Sequence, residues 1–125
     1  MEPAVDDVPY IELHAHSTFS FLDGASTPME LAAAAAELGY PAFALTDHDG
    51  VWGSMEFAHA CKGFGVRAIT GAELTVVDFH LTLLVENATG YRNLCRLLTA
   101  AHLSYEPSPR PRRRCGSVLI TRVPN

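Results

Sequence analysis

Residues 27–50, TPMELAAAAAELGYPAFALTDHDG, contain one complete helix-to-strand unit. Thr27 stands three before Glu30, the spacing of a capping box, and Pro28 takes the first helical position. Leu31 to Leu38 carries the helix on alanine, and Gly39 before Tyr40-Pro41 ends it. Ala42 to Thr46 then reads as a short apolar strand that runs straight into Asp47-His48-Asp49-Gly50. Outward from this unit the same alternation continues. Tyr10 to His16 reads as a strand, with Ile11 and Leu13 on one face and Glu12, His14 and His16 on the other. A second helix covers about Gly53 to Lys62 and is stopped by Gly63 and Gly65. Val66 to Thr70 and His80 to Val85 read as further strands. A last helix starts near Thr89, with Leu94, Leu97, Leu98 and Ala101 at helical spacing. The expectation is an α/β fold of parallel strands joined by crossover helices. A repeat of about 25 to 30 residues gives four strands and three helices, half of what a closed barrel of about 200 residues needs.

Composition sets the outer bounds. The chain has 125 residues, 48% hydrophobic and 18% charged, which argues against wholesale disorder. No apolar run approaches the roughly 20 residues of a membrane span. Met1 to Asp7 is acidic where a secretory signal is basic and then apolar, so a cytoplasmic location is expected. Residues 1–106 hold all 14 acidic side chains but only Lys62, Arg67, Arg92 and Arg96, while 107–125 hold five arginines and no acid. So acidic a body disfavours tight non-specific DNA binding by this segment alone and attracts cations. Cys61, Cys95 and Cys115 form no CxxC pair, and neither a disulfide framework nor a thiolate zinc site is indicated. Residues 1–9 read as an extension, 10–105 as one domain, and 106–125, rich in proline and arginine, as an exposed disordered tail.

His14 and His16 lie two apart on a strand, so both leave the same face and can share a metal ion. Asp23 follows on the next loop. The second strand delivers His48, flanked by Asp47 and Asp49, and the third runs into Thr70-Gly71-Ala72-Glu73. Each alone has an ordinary reading: a histidine at a strand end is usually a surface residue, and an Asp before Gly50 is a turn residue. Their coincidence at successive strand ends, where α/β sites assemble, makes His14, His16, Asp23, His48 and Glu73 candidate metal ligands. Asp47 or Asp49 could orient His48 as a hydrogen-bond acceptor behind the ligands, and His80 could face either the site or solvent. His59 and His102 read as structural. Nitrogen and oxygen donors without thiolate suit zinc, manganese or iron and hydrolytic chemistry.

Glu12-Leu13-His14-Ala15-His16-Ser17 with Phe19-Ser20-Phe21-Leu22-Asp23-Gly24-Ala25 resembles the first motif of the PHP (polymerase and histidinol phosphatase) domain. Leu45-Thr46-Asp47-His48 is similar to its second motif, and Gly71-Ala72-Glu73 to the strand end that supplies a glutamate. The Leu22-Asp23-Gly24-Ala25 wording, Phe79 to Val85 and Gly90 to Leu94 resemble the domain at the N-terminus of bacterial DNA polymerase III alpha subunits, closest to the error-prone, damage-inducible branch. The resemblance covers about residues 10–103. It implies a distorted seven-stranded barrel with up to three divalent ions on nine ligands, five of which match His14, His16, Asp23, His48 and Glu73. It also implies phosphoester hydrolysis, 3′–5′ exonucleolytic in some members and lost in others that act as scaffolds. DNA would be met through the full-length polymerase, with other replisome or mutasome subunits as further partners and no membrane.

Four expected ligands and the polymerase carboxylates have no counterpart here, so this chain alone is not expected to polymerise DNA. The residues after about 105 are expected to stem from a frameshift or premature end, leaving an N-terminal piece that is inactive alone, exposes an unpaired strand edge and aggregates or binds metal weakly. Two other functions stand beside the polymerase reading: a stand-alone phosphatase on a small phosphate ester, and a non-catalytic interaction module. An amidohydrolase, which also begins with HxH, is disfavoured because the only lysine, Lys62, falls in a helix.

Overall fold

A computed structural model describes residues 9–76 and 79–104 and the strand at 117–120. Three helices and four strands follow in the order α1 (Pro28–Glu37), β1 (Ala42–Leu45), α2 (Ser54–Phe64), β2 (Arg67–Val76), β3 (Phe79–Leu84), α3 (Ala88–Leu103) and β4 (Ser117–Ile120). The expected N-terminal extension falls, apart from Pro9, outside the described residues, as does the expected tail apart from β4.

α1 forms as its sequence requires. The Thr27 hydroxyl accepts from the Glu30 backbone N–H while the Glu30 carboxylate accepts from the Thr27 N–H, closing the capping box with Pro28 in place. Gly65 ends α2 in the left-handed conformation, and the Asn87 side chain caps α3 by accepting from the Gly90 N–H. The alanines of α1 leave room for close packing: Ala32 and Ala35 join Phe43, Leu45, Phe57, Ala60, Cys61 and Val66 in one core between the first two helices and β1. A second core lies under α3, where Leu94 and Leu98 meet Ala72, Leu74 and Leu83.

The sheet runs β1-β2-β3-β4. β1 and β2 are parallel, Ala42 opposite Arg67 through Leu45 opposite Thr70, as the crossover predicts. Two departures bear on the site. First, Tyr10 to His16 is not a full strand; it lies extended beside β1 with one bridge, Ala15 to Leu45, and bonds from the Ala44 and Thr46 N–H groups to the Glu12 and Ala15 carbonyls. Second, β2 does not stop at Thr70. It continues to Val76 and pairs antiparallel with β3, Gly71 opposite Leu84 through Val76 opposite Phe79. Not every neighbouring pair is therefore parallel.

Gly71 is the reason. It is the point where the β3 backbone comes close: a Cβ there would lie 2.5 Å from the Leu83 carbonyl oxygen. β2 thus exchanges its neighbour in mid-length, with β1 along its first half and β3 along its second.

Candidate metal centre

The β1–β2 ladder does not end where β1 does. His48 forms a bridge to Glu73 in the same register as Leu45 to Thr70, with the Glu73 N–H on the Asp47 carbonyl (3.0 Å) and the Asp49 N–H on the Glu73 carbonyl (2.8 Å). Glu73 therefore sits in the interior of the sheet, flanked by His48. On its other side the antiparallel register sets Thr82 opposite Glu73 and His80 one diagonal step away on the same face. The extended segment beside β1 contributes His14 and His16. Four adjacent lengths of backbone each present chemistry to one patch.

The side chains converge on one carboxylate. Glu73 is 2% exposed. Its Oε2 is met by the Nε2 atoms of His14 and His16, the latter at 3.0 Å, and its Oε1 by His80 Nδ1. His48 Nδ1 lies 3.2 Å from the same Oε1, and His48 Nε2 meets Asp23 Oδ2 at 2.5 Å. The imidazoles follow one another in a row, edge to face or tilted, with centroid separations of 5.1 Å from His14 to His16, 4.1 Å from His16 to His48 and 5.3 Å from His48 to His80. Three overlapping triads have donor atoms within 4.8 Å of one another: His14, His16 and Glu73; His16, Asp23 and His48; His48, Glu73 and His80. The five residues expected as ligands are brought together, and His80 joins them by direct contact.

Electrostatics follow from this crowding. Burial opposes the charge on Glu73, but hydrogen bonds from His16, His14 and His80, with the nearby His48, outweigh it and hold the carboxyl well below its ordinary range. His16 is raised by its bond to Glu73. His48 is lowered, first by burial and then by His16 beside it, which favours the neutral imidazole that a metal requires.

Does a metal fit these residues? His48 Nδ1 is buried and makes no hydrogen bond, although a carboxylate oxygen lies 3.2 Å away. A buried unpaired nitrogen is costly, and a lone pair directed into an oxygen-bearing cluster suits a cation. The donor set, all imidazole and carboxylate, suits a divalent metal ion. The residues fit.

Behind the cluster Asp47 holds the loop that carries Asp23. It is 1% exposed and its carboxylate accepts from the Ser17 N–H (2.7 Å), the Ser17 hydroxyl and the Ser20 hydroxyl (2.8 Å). The Ser20 hydroxyl oxygen in turn accepts from the His48 N–H at 2.9 Å. Gly24 completes the turn, because a Cβ there would lie 1.9 Å from the Ser17 carbonyl oxygen. Asp49 has φ of 52° and accepts from the Thr75 N–H and hydroxyl, tying the end of the β1 extension to β2. Neither carboxylate serves as the acceptor for His48 that the sequence suggests: that of Asp47 bonds to serines and that of Asp49 to Thr75. Ser17 and Ser20 went unnoticed in the sequence, where only a serine pair three apart beside the HxH motif signalled them. His59 is exposed, and the His102 ring N–H donates to the Asp49 carbonyl (2.6 Å).

The family model for the PHP domain matches residues 12–118. The chain belongs to the PHP domain family. An error-prone DNA polymerase of Mycolicibacterium paratuberculosis is 48% identical over 120 residues, covering 87% of this chain and 11% of the polymerase. One from Symbiobacterium thermophilum is 52% identical over 103 residues, 82% of this chain and 10% of its own length. The match is to the N-terminal region of these polymerases, and the PHP chain spans about a tenth of their length. Among solved structures, a protein assigned as a metal-dependent phosphoesterase from Bifidobacterium adolescentis is similar with a TM-score of 0.51 and 37% identity, over 54% of this chain and 23% of that one. An amidohydrolase from Chromobacterium violaceum is similar with a TM-score of 0.50 and 42% identity, over 53% and 22%. Lys62, the only lysine, is exposed on α2. Among the described residues no helix is long and apolar enough to cross a membrane.

Proposed function

We propose that this PHP domain is a metal-dependent phosphoester hydrolase centre belonging to the front of an error-prone DNA polymerase. The observation that carries it is Glu73, a buried carboxylate shared by His14, His16, His48 and His80. His14, His16 and Glu73 would hold one ion, His16, Asp23 and His48 a second, and His48, Glu73 and His80 a third, with zinc, manganese or iron the suitable elements. Such ions, when bound, polarise a phosphoryl oxygen and lower the pKa of a bound water. The protein supplies the rest. The buried sheet face excludes bulk water from Glu73, Asp47 fixes the loop that aims Asp23, and His48 is kept neutral by burial. Asp23, 45% exposed at its side chain, is the member most open to a substrate. DNA would reach the centre as part of the whole polymerase, in replication or damage-induced synthesis, with further subunits meeting the same assembly in the cytoplasm.

The test is manganese-dependent hydrolysis of bis(p-nitrophenyl) phosphate by the purified chain. Turnover that requires the metal and disappears in a His14→Ala/Asp23→Ala double variant is expected. A metal-loaded, folded chain that cleaves neither this diester nor p-nitrophenyl phosphate would contradict the hydrolytic reading and leave a scaffold.

A further inference from the structure

Trp52 is the only tryptophan in the chain, and it is 59% exposed. Exposed apolar side chains are common and carry no message by themselves. This one is held in place on three sides. Its indole N–H donates to the His48 carbonyl at 3.4 Å. Its ring lies so close over Gly50 that a Cβ there would come within 2.1 Å of ring atoms. Its edge meets His102, with centroids 6.2 Å apart at 76°, and His102 is fixed by its bond to the Asp49 carbonyl. The sequence thus devotes a glycine, a histidine and a backbone carbonyl to fixing an indole whose remaining surface faces water.

The place of that surface gives it a use. Trp52 is bonded to the backbone of His48, whose ring touches Asp23 and Glu73. Phe19, 38% exposed, lies against the adjoining Gly53, at 3.1 Å from where its Cβ would be. Through the backbone of His48, a fixed aromatic lip therefore adjoins a polar, cation-competent centre. A ligand complementary to both parts has a phosphate at one end and a flat, apolar-faced ring at the other. A nucleotide has that form, and every base has a π-face to stack regardless of its identity.

We propose that Trp52 is the stacking platform for the base of a nucleotide whose phosphate lies at the His14–Glu73 cluster. The site then selects nucleotide esters over phosphate esters of aliphatic alcohols. This rests on the phosphoester reading above. Trp52 acts as a specificity residue and takes no part in the reaction itself.

The only indole also serves as the reporter. The zinc-loaded chain is titrated with deoxyadenosine monophosphate, with ribose 5-phosphate and with inorganic phosphate, following indole emission and heat. The nucleotide is expected to bind about tenfold tighter than ribose 5-phosphate and to quench the emission, as one base–aromatic stack implies. Trp52→Leu should abolish that preference and Trp52→Phe should keep most of it, with thermal melts confirming that both variants are folded. Equal affinity for nucleotide and sugar phosphate in the natural chain, or a preference that survives Trp52→Leu, overturns the stacking role. If zinc binds but none of the three phosphates does, the phosphoester reading fails and the inference with it.

Discussion

Glu73 and Asp47 are both buried carboxylates, and their different neighbours give them different jobs. Glu73 is surrounded by imidazoles, whereas Asp47 is surrounded by hydroxyl and amide donors. Asp47→Ala would leave the Ser17 and Ser20 donors buried without an acceptor, and a loss of about 3 kcal/mol in urea unfolding is expected. Because the loop to Asp23 depends on those bonds, the variant should also bind metal more weakly. Cys61 offers a test by pH. Burial raises its thiol from 9.0 to about 11, so the folded state holds the neutral form over a range where the unfolded chain ionises. The stability this represents is fully present below pH 9 and disappears as pH rises through 11. Alkylation of Cys61 by iodoacetamide near neutral pH should therefore require unfolding. At this scale the sequence was informative about which side chains meet: HxH, Asp23, His48 and Glu73, which converge in the structure, were all singled out from spacing and motif. For His80 only the direction stayed open, between site and solvent, because it depends on an antiparallel pairing that no local pattern announced.

That pairing is the lesson at the scale of elements. α1 could be read to the residue, since a capping box, an N1 proline and a C-terminal glycine are local signals. β2 could not, because Gly71 looks like a terminator when only the chain itself is considered. Its meaning is tertiary: it lets the Leu83 carbonyl approach. With Val76 opposite Phe79, residues 73, 75, 80 and 82 fall on one face, so recognising the hairpin would have turned His80 towards Glu73. Gly71→Val should cost more than 2 kcal/mol in chemical denaturation, about the upper range for an overpacked site. Thr27→Ala, which removes only the cap of α1, should cost about 1 kcal/mol and leave metal binding intact.

For the molecule as a whole, the metal centre and the fold are one problem. Four neighbouring lengths of backbone meet at Glu73, so ions in the three triads would together tie the first segment to the His48 extension of β1, to β2 and to β3. Saturating zinc, at about 100 times its dissociation constant, would add about 2.7 kcal/mol and raise the melting midpoint by about 10 °C, reversed by a chelator. The acidic balance of residues 1–106 favours cations in general. The chain's relation to proteins some nine times longer was legible in its motifs, whereas the burial of Glu73 in mid-strand needed the sheet.

The most direct measurement is the metal bound by the purified chain beside Glu73→Gln, by plasma mass spectrometry after equilibrium dialysis against zinc, which registers weak as well as tight binding. Glutamine keeps the size of the side chain and removes the charge shared by the four imidazoles. The natural chain is expected to retain about one divalent ion or more per molecule, and Glu73→Gln to lose it while remaining folded by circular dichroism. Equal metal in the two proteins would contradict a centre built on Glu73.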